Sequence, residues 1–296
     1  MTSILSWNIQ NGKGCDCKIS LERIVEVIGQ MGVPDIICLQ EVSRGLILDD
    51  GIYAPDQVEE LAELFPGYEI VFGAAIDAVC ENNGKRWQFG NAVLIRLPLL
   101  SVTSHKLPSP GVPNTRYMAR QAIEVVVDCP AGPLRVVNTH LEFHSQTQKI
   151  AQVGRLREIQ REVLEEHNQP RQIDAAGPYQ FVSRPVNAVF CGDFNMTTDS
   201  KEYAILQAPL ADESKPFKDA WEIAHPGQPH APTCGIYDHQ LWPQGSHCRD
   251  FFFMTGKSAE WVTDVQVDIK TDASDHQPLL LILNDDYSKN ITETTH

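Results

Sequence analysis

The amino-acid sequence predicts an α/β fold. Three observations carry this expectation: apolar runs too short to be helices, longer segments whose apolar residues recur every three or four positions, and an alternation of the two from the amino terminus onward. With 42% hydrophobic and 21% charged residues, the 296-residue chain can bury a full core, which excludes global disorder. No repeat, low-complexity run or Gly/Ser linker divides it. Residues 1–284 are therefore expected to form one domain, and 285–296 a polar, frayed tail.

Taken in order, Ser3–Ile9 is a plausible first strand. Ser20 then caps a helix carrying Leu21, Ile24, Ile28 and Met31 on one face. Asp35–Gln40 is too short for a helix and almost wholly apolar, so it reads as a buried strand. A second helix with Val58, Leu61 and Phe65 on one face stops at Pro66-Gly67, and strands follow near 69–73, 91–96 and 99–105. Gln121–Val127 and Leu134–Asn138 flank Pro130-Ala131-Gly132-Pro133, a hairpin signal. Ser145 opens a capping box, Ser-Gln-Thr-Gln, ahead of a long amphipathic helix through Ile150, Val153, Leu156, Ile159 and Val163. Residues 169–185 read as a loop and Asn187–Cys191 as a strand. Residues 225–248, with four prolines, four histidines and little periodicity, read as a surface excursion. Strands near 250–254, 261–268 and 279–283 complete the pattern.

The charge balance narrows function. Against 24 basic residues stand 39 acidic ones, a formal net charge of −15. Such a surface repels polyanions and argues against tight duplex DNA binding, yet it permits a small phosphorylated substrate where divalent cations reverse the local field. The start, Met-Thr-Ser-Ile-Leu-Ser-Trp-Asn, has no secretory pattern, and no apolar run approaches the ~18 residues of a membrane span. Eight scattered cysteines do not make a disulfide scaffold; Cys38, Cys129 and Cys191 fit as core residues, and the Cys15–Cys17 pair lacks a second pair at zinc spacing. A reducing cytoplasm is the expected location, with no protein partner indicated.

Chemistry gathers where apolar strands end. Trp7-Asn8, Gln40-Glu41, Asn138-Thr139-His140 and Gly192-Asp193-Phe194-Asn195 each terminate an apolar run, and Ser274-Asp275-His276-Gln277-Pro278 precedes the last strand. Groups at strand ends converge when the strands share a sheet. Oxygen ligands suit Mg²⁺ or Mn²⁺, and imidazoles beside them move protons or hydrogen-bond a phosphoryl oxygen.

This ordered set, Ser-Trp-Asn-Ile, Cys-Leu-Gln-Glu-Val, Asn-Thr-His-Leu, Gly-Asp-Phe-Asn and Ser-Asp-His-Gln-Pro, resembles the signature of the endonuclease/exonuclease/phosphatase (DNase-I-like) family across residues 3–279. The resemblance implies a four-layered α/β sandwich, two facing mixed β-sheets with helices outside. It implies metal-site residues Asn8, Glu41 and Asp275, with Glu41 the principal ligand. It implies catalytic roles for His140 and His276 at the phosphate, Asp193 at the attacking water, Asn195 as its phosphate-side partner, and Asp250 as the carboxylate that holds His276. Arg120 resembles an arginine of some phosphodiesterase branches and would grip a phosphate; Asn91 lies in a family-like segment, with Arg116 a weaker candidate. Two departures weaken a DNA-repair reading: Gln10 stands where abasic-site endonucleases carry aspartate, and the strand at Asp250 lacks their Arg-Ile-Asp-Tyr wording.

The expected activity is divalent-metal-dependent hydrolysis of a phosphate ester, on a small or lipid-like substrate, by direct attack of water. A nuclease for single-stranded or short nucleic acid is the alternative, favoured by a basic rim that Lys85, Arg86, Arg155, Arg157 and Arg161 would have to supply. A binding module on an inactive form of the fold is the third, and metal-dependent turnover would exclude it.

Overall fold

In a computed structural model of the chain, residues 1–47, 53–80, 84–169, 177, 179–180, 184–210 and 217–284 are described, and their strands gather into two sheets. In chain order the strands are β1 (Thr2–Asn8), β2 (Ile36–Ile47), β3 (Tyr53–Asp56), β4 (Glu69–Val79), β5 (Arg86–Ile95), β6 (Leu99–Lys106) and β7 (Gln121–Cys129). They continue as β8 (Gly132–His140), β9 (Ala188–Asp193), β10 (Lys218–Asp219), β11 (Asp250–Thr255), β12 (Val262–Val267) and β13 (Leu279–Leu283). The helices are α1 (Leu21–Gln30), α2 (Gln57–Leu64), α3 (Gln146–Asn168), α4 (Lys201–Gln207) and α5 (Ala220–Ala224). The expected tail at 285–296 and most of the 169–185 loop lie outside the described residues.

The first sheet has seven strands in the order β12-β13-β1-β2-β5-β4, with β3 added beside β2; the second has six, ordered β10-β11-β9-β8-β7-β6. Each contains one parallel pair, β1 with β2 and β8 with β9. The chain between the partners of each pair carries a helix, α1 in one case and α3 in the other, as parallel crossovers require.

Alternation within strands assembles the layers. Ile4, Ile36, Cys38 and Val93 of the first sheet share one core with Val125, Val136, Val189 and Phe252 of the second. Their neighbours Leu5, Trp7, Ile37 and Leu39 turn the other way and pack with Leu21, Ile24 and Ile28 of α1 and Leu61 of α2. On the far side Val137, Phe190, Phe251 and Phe253 pack with Val153, Leu156 and Ile159 of α3 and Leu206 of α4. Helix, sheet, sheet and helix follow in that order, a four-layered sandwich. Ser20 and Ser145 accept from the backbone N–H groups of Arg23 and Gln148, as the caps predict. The box at Ser145 is half formed: Gln148 turns its Nε2 to the Pro110 carbonyl, and its Oε1 does not accept from the Ser145 N–H.

Several boundaries differ from the sequence reading. β5 already begins at Arg86, and its first residues, Arg86 to Gln88, are exposed or half-buried, with Arg86 and Gln88 pairing to Asp77 through polar side chains, so no apolar run marks them. β2 runs past Glu41 to Ile47, and β3, β10, α4 and α5 are too short to carry a periodicity. The 225–248 segment is not a surface excursion: Thr233, Cys234 and Trp242 are buried, and Cys234 bridges to both His247 and His276.

Gly192 ties the second sheet together. Its φ of 133° lies where side chains are strained, and a Cβ there would stand 1.8 Å from the Thr139 carbonyl oxygen on β8. Gly192→Ala is expected to lower stability by on the order of 3 kcal/mol, strain and backbone clash together. A urea midpoint unchanged from the native protein would contradict this.

Beneath α3 lies a buried ionic cluster. Glu124 on β7 accepts from Arg135 Nη1 at 3.0 Å and from Arg184 Nε at 2.7 Å, and lies 3.2 Å from His105 Nε2. Burial alone would raise the Glu124 pKa, but His105, Arg184 and Arg135 outweigh it and hold the carboxyl well below its usual range. A depressed carboxylate contributes stability above its unfolded pKa, about 4.3, and that contribution is lost as pH falls toward the folded value. Glu124→Gln should therefore cost about 3–5 kcal/mol at neutral pH, where it strands buried Arg135, and progressively less below about pH 4. Denaturant titrations at the two pH values check both the size and the direction.

Candidate active site

Topology brings the strand-end residues to one edge of both sheets. Asn8 closes β1 and sits in register with Gln40 on parallel β2. His140 closes β8 opposite Asp193, which closes β9, and Asp250 opens antiparallel β11 opposite the same Asp193. Asp275 and His276 precede β13, which runs antiparallel to β1, so they arrive at the end that β1 leaves. Glu41 falls within a register break between Leu39 and Val42, at a φ of 56°. This bulge breaks the in–out alternation of β2 at Glu41, a common device beside sites.

Buried polar contacts pin the edge. Asn138 on the second sheet donates to the Leu39 and Ala92 carbonyls on the first, and accepts from Gln40 Nε2 at 2.7 Å. Ser274 Oγ donates to the Asn8 carbonyl at 2.7 Å, and Trp7 Nε1 to the His276 carbonyl at 2.9 Å.

Asp193 is the hub. Its Oδ2 lies 3.4 Å from His140 Nε2 and 3.6 Å from His276 Nε2, and accepts from Asn8 Nδ2 at 3.1 Å. Its Oδ1 accepts from the Asn195 backbone N–H at 2.8 Å. Asn195, at a φ of 50°, donates its side-chain amide to the Leu141 carbonyl. On the far side of His276, Nδ1 lies 2.9 Å from Asp250 Oδ2, which also accepts from Thr233 Oγ1 at 2.5 Å. Asn8 Nδ2 also donates to Glu41 Oε1 at 3.1 Å, and its Oδ1 accepts from the Gln10 N–H. With this amide orientation Asn8 steers the two carboxylates; it would offer an oxygen to a cation only with the amide turned over. Arg120 is buried, its Nε 3.5 Å from Glu142 Oε2, with Nε and Nη1 making no hydrogen bond. Asn91 is buried and donates to the Gln121 carbonyl at 3.5 Å, and Arg116 is exposed.

The electrostatics separate the two histidines. Burial lowers the His140 pKa and nearby Arg120 lowers it further, so His140 is neutral near pH 7. Burial opposes charge on His276 too, but Asp250, Asp193 and Asp275 outweigh it and raise its pKa well above the ordinary value. Asp193 stays below its usual range, since His276 and His140 more than offset its burial. Burial and the Asp275 carboxylate together push Glu41 up to about 7. Two carboxylates that disfavour each other's ionisation are a donor set short of positive charge, which fits a hard divalent cation. Asp193, Asp250 and His276 also offer ligand atoms within 4.8 Å of one another and could hold such an ion.

Sequence reasoning missed several contributors. Trp242 donates from Nε1 to Asp275 Oδ2 at 3.2 Å and lies edge-on to His276, with ring centres 5.6 Å apart. The Arg249 guanidinium lies over both the Trp242 and Phe143 rings while Nη1 donates to the Asn195 carbonyl. Thr233 and Glu142 were missed as well. None of these four lies in a motif; the one signal was a tryptophan among prolines in an aperiodic stretch.

The two-sheet architecture is that of the DNase-I-like α/β sandwiches. The sequence profile of the Endonuclease/Exonuclease/phosphatase family matches residues 5–276, and the chain belongs to that family. An endonuclease/exonuclease/phosphatase from Beutenbergia cavernae is 24% identical with a TM-score of 0.66, covering 96% of this chain and 72% of its own. The mannosyl-6-phosphatase of Bacteroides thetaiotaomicron is 16% identical, TM-score 0.65, covering 96% of this chain and 100% of its own. The human nocturnin catalytic domain, solved with a bound sulfate, is 19% identical, TM-score 0.62, covering 96% and 93%. A comparison with curated protein sequences finds no match.

Proposed function

We propose that this protein is a divalent-metal-dependent phosphoric ester hydrolase that acts by direct attack of water, with residues 1–284 serving as one catalytic domain. The observation that carries the reading is the meeting at one sheet edge of Asp193 with His140 at 3.4 Å and His276 at 3.6 Å, with the Glu41 and Asp275 carboxylates and the buried guanidinium of Arg120 close enough to act on one another electrostatically. Glu41 and Asp275 would hold Mg²⁺ or Mn²⁺, with Asn8 beside them. Glu41 keeps 23% of its side chain open to solvent, whereas Asp250 and His276 are buried and already paired to each other. The cation would neutralise charge on the phosphoryl oxygens and the leaving group.

The protein's own groups supply the rest. Asp193, its Oδ1 fixed by the Asn195 N–H, orients water and takes its proton. His276, turned by Asp250, donates to a phosphoryl oxygen, and His140 bonds to another or to the leaving oxygen. Arg120, ion-paired with Glu142 through Nε, binds the phosphate through its guanidinium. No activated Ser or Cys nucleophile is required. A screen over phosphate mono- and diesters with added Mg²⁺ or Mn²⁺ tests the reading, and full turnover by metal-free protein in excess chelator would refute it.

Duplex DNA is expected to bind weakly at near-physiological salt. Arg86 pairs with Asp77, Arg155 with Glu158 and Glu162, and Arg161 with Glu165, while Arg157 is spent on carbonyls near residue 206. Four of the five candidate rim cations are thus engaged, which disfavours a basic strip for phosphates. Submicromolar binding with a steep salt slope would promote the nuclease alternative. All eight cysteines are free, which supports a reducing cytoplasm, and no described helix is long and apolar enough to cross a membrane.

A further inference from the structure

From Glu41 an open groove of ≈ 450 Å³ runs outward along the first sheet, walled by Leu46, Ile47, Ile76, Trp87, Phe89 and Met118. Its size falls within the about 300–1,000 Å³ typical of ligand sites. The two ends differ in chemistry. At the inner end stand Glu41, Gln10 and Asn11, and the Oδ1 of Asn11 is buried without a hydrogen-bond partner. Beyond them the walls are aliphatic and aromatic, and Ile47 is 50% exposed. A large apolar side chain left half in water in the same groove as Glu41 gains burial only when something apolar covers it.

We infer that this groove receives the organic group of the substrate and selects phosphate esters whose organic group is apolar. The inference rests on the hydrolase reading above and narrows it. The groove is continuous with the proposed site because Glu41 lines both. A polynucleotide is a poor occupant: among the described residues, Lys13 is the one basic side chain lining it, and a phosphodiester backbone gains affinity through several cations. A sugar would leave hydroxyls facing six apolar walls, where unmatched polar groups are costly. An alkyl chain or a flat ring loses nothing there. Trp87 and Phe89 supply aromatic surface for either.

The test uses methyl, hexyl and phenyl phosphonates for binding by calorimetry on the full chain with Mg²⁺, and p-nitrophenyl phosphodiesters of the same three groups for kcat/KM. Affinity should rise about three- to fourfold per methylene until the groove is filled, so hexyl should exceed methyl by at least about tenfold, with a more negative heat-capacity change. Ile47→Ser and, separately, Trp87→Ala should each cut the hexyl-to-methyl ratio by at least about threefold. Leu100→Ser, an exposed change on β6 of the other sheet, should leave the ratio unaltered. A phenyl preference would identify a ring as the occupant and a hexyl preference a chain; either supports the inference. Equal binding of methyl and hexyl phosphonates, or a hexyl preference that neither groove variant reduces, would overturn it. Chain-length-dependent binding without turnover of any ester would uphold the groove and sink the hydrolase reading.

Discussion

Asp193→Asn should lower turnover by about 10²- to 10⁴-fold, the span of a lost general base, while leaving the fold intact. The change is nearly isosteric, so packing beneath β9 is preserved. Oδ1 can still accept from the Asn195 N–H, but the negative charge at Oδ2 is gone. That atom faces both imidazoles and Asn8 Nδ2, so its loss removes the group placed to take a proton from water and part of the field that keeps His276 charged. His140→Ala and His276→Ala should each cost at least about 10²-fold, and because the three groups act as a unit their effects should not add. Single-turnover kinetics on a substrate from the ester screen, with urea midpoints as a folding control, decides the point. An Asp193→Asn protein retaining more than about a tenth of native turnover would remove Asp193 from the mechanism.

Glu41→Gln should weaken metal binding and reduce activity at limiting Mg²⁺ by at least about 10²-fold, with partial recovery as the metal concentration is raised. The amide keeps the shape and one oxygen but loses the charge that a hard cation requires. Without bound metal the substitution should not harm the fold. Glu41 is pushed up to about 7 by burial and Asp275, so ionisation there is a burden until a cation arrives. Metal titration followed by calorimetry gives a readout that does not depend on turnover. Unchanged affinity for Mg²⁺ and Mn²⁺ in Glu41→Gln would move the cation to the Asp193, Asp250 and His276 group.

The sequence by itself determined the α/β class, the long strands and helices, and the set of residues that end apolar strands. Those features are local. Ser20 and Ser145 cap where they stand, Leu21, Ile24 and Ile28 share a helix face, and Ile4 and Leu5 go to opposite faces of one strand because a strand repeats every two residues. The motif spacing also identified Asn8, Glu41, His140, Asp193, Asp250, Asp275 and His276 as a group, through a resemblance spread along nearly the whole chain.

Only the tertiary structure decided how these residues face one another. That His276 lies between Asp250 and Asp193 depends on β11 pairing with β9, a contact between residues 57 positions apart in the Asp250–Asp193 register. The Trp242 contact to Asp275 arises because the aperiodic 225–248 segment is held by bridges at Cys234 rather than by any repeat of its own. The left-handed turn at Glu41 and the groove beside it are likewise invisible in a linear pattern. Its walls come from β2, β4, β5 and the segment before β7, and no single element carries enough of it to leave a signal. Side-chain periodicity encodes which face of an element is apolar; which faces meet, and what opens between them, is set by long-range strand pairing and packing.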